Sequence, residues 1–203
     1  MRLLIDTDAF CKFGAAGLLQ DAASVLGVEW LDCCRLPALP YMLDGRRLGR
    51  WLGRELCEKL APIAAAMKCV PAASSDWLNQ LVGLPDVDPG EAQLFACAAG
   101  SDDLILTGDK RSLLALRNTS ALVEALRGRI AMPHAVLLAL CALRGDNRIR
   151  AAMMPALRLD TMAQVCFSQG NSSPRDGLKS YLYADTHDLH PVVLWSPEQG
   201  ASS

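Results

Sequence analysis

The chain has 203 residues, 51% of them apolar and 21% charged, with a formal net charge of −2 at pH 7. That length admits one large domain or a domain with an extension, and so apolar a composition excludes a disordered chain. A balance this near neutrality lacks the basic surface that usually marks nucleic-acid binding, so any such site must be local.

The eight cysteines form no C-x-x-C pair and sit mostly inside apolar runs. They read as buried free thiols, and the expected location is a reducing cytoplasm. The first strand begins by Leu3, which leaves no room for a secretory signal. Apolar runs are interrupted by charge or proline before reaching the ~20 residues of a membrane span.

In chain order, residues 2–5 read as a short, fully buried strand, as a central parallel strand should be. From Asp8 to Leu26 the apolar residues recur at helical spacing, and Asp8 is placed to cap that helix. Asp6 follows the strand directly and is assigned no capping role. Val28-Glu29-Trp30-Leu31 reads as a second strand, and a loop begins at Cys34. Residues 46–68 read as one helix, with Pro62 as a kink and Arg47, Arg50 and Arg54 on one stripe. Ser74 to Val82 reads as a short helix.

The stretch 86–111 carries the densest signal. Asp88-Pro89-Gly90-Glu91 is a helix start with Asp at the N-cap, Pro at N1 and Glu at N3. Leu104-Ile105-Leu106-Thr107 reads as a buried strand ending at Gly108-Asp109. Asp102 and Asp103 read as solvated turn residues. In an open α/β sheet, ligands bind outside the carboxyl ends of the strands. Asp6, Glu91 and Asp109 delivered there form one acidic pocket, and an all-oxygen ligand set suits Mg²⁺ or Mn²⁺.

Beyond Asp109, a helix from Ser112 to Leu126 is interrupted at Asn118-Thr119-Ser120, and residues 129–133 read as the last strand. Residues 134–145 are apolar all round, so that helix is buried in the fold or at a partner interface. Ile149 to Phe167 is broken at Pro155, residues 169–173 read as a polar linker, and Ser173-Pro174 restarts a helix. The acids and histidines near 185–190 match no metal-ligand spacing and read as a polar helix end.

Taken in order, LLIDTDAF, DPGEAQLFACAA and LILTGDKR resemble the PIN-domain nucleases, a family that includes the toxin ribonucleases of toxin–antitoxin pairs. The resemblance covers about the first two-thirds of the chain. It implies a small, mostly parallel sheet with helices on both faces over residues 1–133, a PIN-like, Rossmann-like three-layer domain. Residues 134–203 are then a mainly helical extension packed on that domain or on a partner. It also implies a metal-dependent endoribonuclease with Asp6, Glu91 and Asp109 as catalytic metal ligands. Thr107, Lys110, Arg111, Arg47 and Arg50 stand as candidates to contact substrate. RNA is the implied substrate, and an antitoxin protein and a second copy of the chain are the further candidate partners. The family's second acid has no clear counterpart: Asp44 is the nearest candidate and Glu55 a distant one, while Asp44-Gly45 also reads as a simple turn. Two alternatives stand beside this reading. One is a non-catalytic PIN-like binding or scaffold module. The other is a haloacid-dehalogenase-like phosphatase, which LLIDTDAF also resembles, although Phe10 and the residues after Gly108-Asp109 depart from that pattern.

Overall fold

The computed structural model describes residues 1–168, 170 and 173–197. Most of the polar linker expected over 169–173 lies outside these residues. Five parallel strands form one sheet: β1 (Leu3–Ile5), β2 (Cys33–Arg35), β3 (Lys68–Cys69), β4 (Leu104–Leu106) and β5 (Ile130–Ala131), in the order β3-β2-β1-β4-β5. Alternation along each strand divides the core in two. Leu3, Ile5, Cys33, Leu104, Leu106 and Ala131 belong to one apolar cluster. Leu4, Cys34, Ile105 and Ile130 belong to another. Successive side chains of a strand point to opposite faces, so the clusters are the two helix layers of a three-layer α/β fold.

Helices Thr7–Ala15, Leu19–Val25, Leu39–Asp44, Arg46–Leu52, Arg54–Ala66 and Pro133–Arg144 supply the first layer. Helices Ser75–Leu81, Pro89–Ala99, Lys110–Leu116 and Ser120–Ala125 supply the second. Local signals explain many boundaries. The Ser74 side chain caps the helix after it, Asp88 and Glu91 form a reciprocal capping box, and Ser173 caps Pro174–Asp188. The break expected at 118–120 separates Lys110–Leu116 from Ser120–Ala125.

Several expectations are corrected. The helix read from Asp8 to Leu26 is two helices, broken at Gly17 with φ of 67°. The helix read over 46–68 is also two, broken at Gly53 with φ of 83°, while Pro62 stays inside the second. Only glycine holds such a backbone without steric cost. The second strand is Cys33–Arg35; the Trp30–Asp32 segment before it is a 3₁₀ turn. Arg35 tolerates burial because its guanidinium donates to the carbonyls of Ala64 and Leu36 at 2.8 and 3.2 Å. Ala64 lies in the last turn of its helix, whose unsatisfied carbonyls attract a cation. Asp103 is buried rather than solvated, and accepts from the Arg2 backbone N–H, Nε and Nη2 at 2.8, 2.9 and 2.6 Å. That clamp ties the start of β1 to the start of β4.

Residues 134–203 bring no separate core among the described residues. Leu137, Leu140, Phe167 and Leu178 belong to the same cluster as Leu3, Ile5, Phe10 and Phe13. Helix Pro133–Arg144 packs between Leu19–Val25 and Pro174–Asp188. The chain then runs beside β5: Leu194 bridges Ile130 in parallel, and the Trp195 N–H donates to the Ile130 carbonyl at 2.8 Å. This covers the sheet edge, which would otherwise present unpaired backbone groups. No helix among the described residues is long and apolar enough to cross a membrane.

Candidate active site at the sheet switch point

The strand order reverses at the neighbours β1 and β4: β2 lies on one side of β1, and β4 and β5 on the other. This is the crevice where open α/β sheets bind ligands. Asp6 arrives directly from β1 and Asp109 from the turn after β4. Glu91 arrives from the start of helix Pro89–Ala99.

Asp6, and not Asp8, caps the first helix. Its Oδ1 accepts the Thr7 N–H at 2.7 Å, and its own N–H donates to the Leu106 carbonyl at 3.0 Å. Burial pushes its pKa up to about 6. The charges of Asp8 and Asp88 push the same way, and the Thr7 N–H opposes them. Asp8, in the first turn, is half-buried. It pairs with Lys12 at 2.6 Å, and its Oδ2 lies 3.6 Å from where a Cβ at Gly108 would stand. Lys12 also pairs with Asp160. The Asp8 pKa is raised, by burial first, against the lowering effect of Lys12.

Glu91 is buried. Its Oε2 accepts the Asp88 N–H at 2.8 Å, and Asp88 Oδ1 accepts the Glu91 N–H at 2.9 Å. Burial lifts the Glu91 pKa to about 7, with the charges of Asp109 and Asp88 adding to the rise; the Asp88 N–H and the Ser112 hydroxyl oppose it. Asp109 caps helix Lys110–Leu116 by accepting from the Arg111 and Ser112 N–H groups at 2.9 and 3.3 Å. Asp86, Val87, Asp88, Glu91, Asp109 and Arg111 line one open cleft of ≈ 270 Å³. Asp86 holds φ of 60° there, in the left-handed region that Asp enters more readily than most residues.

The remaining sequence candidates divide. Arg111 lines the cleft, with Nη2 3.5 Å from Asp109 Oδ2. The Thr107 hydroxyl accepts the Asp109 N–H at 3.2 Å and so shapes the turn. Lys110 points to the C-terminal helix, where it pairs with Asp185 at 2.8 Å and Asp188 at 2.6 Å. Those two bonds raise its pKa. Asp44 and Arg50 line a second cleft that shares no residue with the first, and Arg47 lines neither. Glu55 is exposed. Sequence reasoning passed over Asp8 as a site residue and did not weigh Asp86 or Asp88. The available signals were Asp8 standing two residues after Asp6, and a third and fourth acid crowding Glu91.

The donor set in the crevice is all carboxylate, the chemistry that suits a hard divalent cation. Raised carboxyl pKa values are what crowded, desolvated acids produce, and a cation relieves that cost. As placed, however, one oxygen of each of Asp6, Glu91 and Asp109 serves a helix cap. Among the described residues, no group of three or more His, Cys, Asp or Glu side chains is gathered tightly enough to hold a metal. The donors therefore fit by chemistry, and ligation requires the side chains to draw closer together than they stand here. Comparison of the chain with family models, with curated proteins and with solved structures returns no match.

Proposed function

We propose that this chain is a divalent-metal-dependent endoribonuclease of PIN-domain type, which hydrolyses RNA phosphodiester bonds. The observation that supports the reading is that Glu91 and Asp109, from two separate elements, line one acidic cleft, with Asp6 at the carboxyl end of β1 beside β4. Asp6, Glu91 and Asp109 would hold Mg²⁺ or Mn²⁺, with Asp8 beside them. A bound ion there supplies an activated water and neutralises charge developing on the phosphoryl oxygens. Arg111, exposed at the mouth of the cleft, is placed to meet a phosphate with its planar fork of donors. The narrower form of this reading is a toxin ribonuclease held by an antitoxin protein.

The capping bonds of Asp6, Glu91 and Asp109 favour one second reading, a PIN-like scaffold in which these acids only start helices. Two assays separate the readings. The first is cleavage of a fluorescent single-stranded RNA in Mg²⁺, Mn²⁺ or EDTA; the second is calorimetric Mn²⁺ binding. The nuclease reading expects cleavage in either metal and none in EDTA. It also expects Asp6→Asn and Asp109→Asn to fold, bind Mn²⁺ weakly and cut nothing. Wild-type protein that neither cuts RNA nor binds either ion leaves the scaffold.

A further inference from the structure

A second concavity with charged walls lies outside the acidic crevice. It is an open cleft of ≈ 810 Å³ along helices Arg46–Leu52 and Arg54–Ala66, whose walls carry Asp44, Arg46, Arg50, Arg54 and Glu58. Arg54 is tied to Glu58 at 2.8 Å. Neither Arg46 nor Arg50 has an ion-pair or hydrogen-bond partner among the described residues. Arg2, Arg35, Arg127, Arg129, Arg144 and Arg175 are each held by a carboxylate or a carbonyl; Arg47, Arg117 and Arg148 are also without such a partner among the described residues, but they do not line this cleft. Arg46 and Arg50 thus bring two free guanidiniums to one cleft, although the whole chain carries a net charge of −2.

We propose that this cleft binds the phosphodiester backbone of single-stranded RNA through Arg46, Arg50 and Arg54. The inference deepens the ribonuclease reading and rests on it for the choice of RNA. Arg46 and Arg50 stand four residues apart on one helix, which places their Cβ atoms about 5–6 Å apart. Successive phosphates of an extended strand repeat at a similar distance, and a guanidinium fork donates two bonds to each. A basic groove that tracks the backbone is the usual means of holding a single strand, whereas duplex RNA is gripped by a surface spanning successive minor grooves. Gly45 and Gly49 keep the wall low, and a Cβ at Gly49 would meet no atom within 4 Å. The two clefts share no lining residue, but one short segment runs between their elements. Helix Leu39–Asp44 begins four residues after β2, and the intervening Leu36 packs on the start of the Glu91 helix. A Cβ at Gly90 would stand 2.9 Å from Leu36 Cδ1.

Binding is read separately from cleavage, by fluorescence anisotropy of a labelled oligouridylate with the full chain in EDTA over a range of salt. Wild type should bind, with affinity falling as salt rises. Arg50→Gln should weaken binding and reduce the slope of log K against log salt by about 0.7, the value for one phosphate contact on a single strand. Arg47→Gln removes the same charge from the same helix but not from the cleft, and should leave both unchanged. Gly49→Glu places a carboxylate on the wall without a clash and should cost about tenfold or more in affinity, the scale of one lost charge-assisted contact. Gly49→Gln, of matching size, should bind as wild type does.

Equal losses from Arg47→Gln and Arg50→Gln would reduce the effect to diffuse charge and overturn the proposal. Duplex RNA of equal length binding more tightly would overturn it too. Polyglutamate displacing the oligonucleotide at equal charge concentration would reassign the cleft to an acidic protein segment. Metal-dependent cleavage with binding untouched by Gly49→Glu would sink this inference and leave the nuclease standing. Binding through the cleft without cleavage would do the reverse.

Discussion

Replacing Asp6 with Asn measures the repulsion and desolvation held in the crevice. Burial and the neighbouring acids raise the Asp6 pKa from 3.8 to about 6. An acid whose folded-state pKa lies above its unfolded value binds its proton more tightly in the fold. The stability this gives is fully present below pH 3.8 and is lost as pH rises through about 6. At about 1.4 kcal/mol for each tenfold difference in proton affinity, the loss at pH 8 has a ceiling of about 3 kcal/mol. Asparagine carries no charge, and its amide oxygen can accept the Thr7 N–H as the N-cap aspartate does. Asp6→Asn should therefore be more stable than wild type by about 1–3 kcal/mol at pH 8 and close to it at pH 3.5. For a chain of this size that is a rise in Tm of very roughly 2–10 °C. Urea and thermal unfolding in EDTA at the two pH values give the comparison. A variant no more stable than wild type at pH 8, or a gain of equal size at both pH values, refutes the reasoning. Repeating the melts with Mn²⁺ separates repulsion from ligation: a bound cation stabilises the folded protein, so wild type should gain and Asp6→Asn should not.

Glu91→Gln keeps an acceptor at N3 for the Asp88 N–H, so the capping box and the unfolding midpoint should survive while RNA cleavage falls; unimpaired cleavage assigns Glu91 to the cap alone. Asp103→Ala strands the Arg2 backbone N–H and guanidinium and should cost about 2–3 kcal/mol by urea unfolding; a cost below about 0.5 kcal/mol would show that water satisfies those donors equally well. Removing residues 134–203 takes Leu137, Leu140, Phe167 and Leu178 from the core, so the truncated chain should be insoluble or lack cooperative unfolding. A folded, soluble product would show that the first 133 residues close a core by themselves.

What the sequence determined by itself was whatever depends on neighbours a few residues apart. The runs at Leu3–Ile5 and Leu104–Leu106 are apolar and bounded by polar turns, so they are buried strands wherever the sheet closes. Asp88-Pro89-Gly90-Glu91 starts a helix because its two side chains satisfy its own first N–H groups. The α/β class follows from such segments in alternation. Tertiary structure decided the rest. The two-residue β3 and the Arg-bearing β2 exist because β1 and the carbonyl end of Arg54–Ala66 lie beside them; alone, both resemble loop. The Asp6 cap came from where the first helix begins, two residues earlier than its apolar period suggested. Gly53 split the arginine stripe between two helices, and Arg50 and Arg54, but not Arg47, line one cleft. Lys110 found Asp185 and Asp188 more than seventy residues away because the C-terminal helix folds back over the carboxyl end of the sheet. A carboxylate's local bonds are written within four residues of it, but its charge acts on whatever the closed chain brings near. In this protein the Asp88–Glu91 cap was therefore decided locally, and the crowding that raises Asp6 and Glu91 only by the fold.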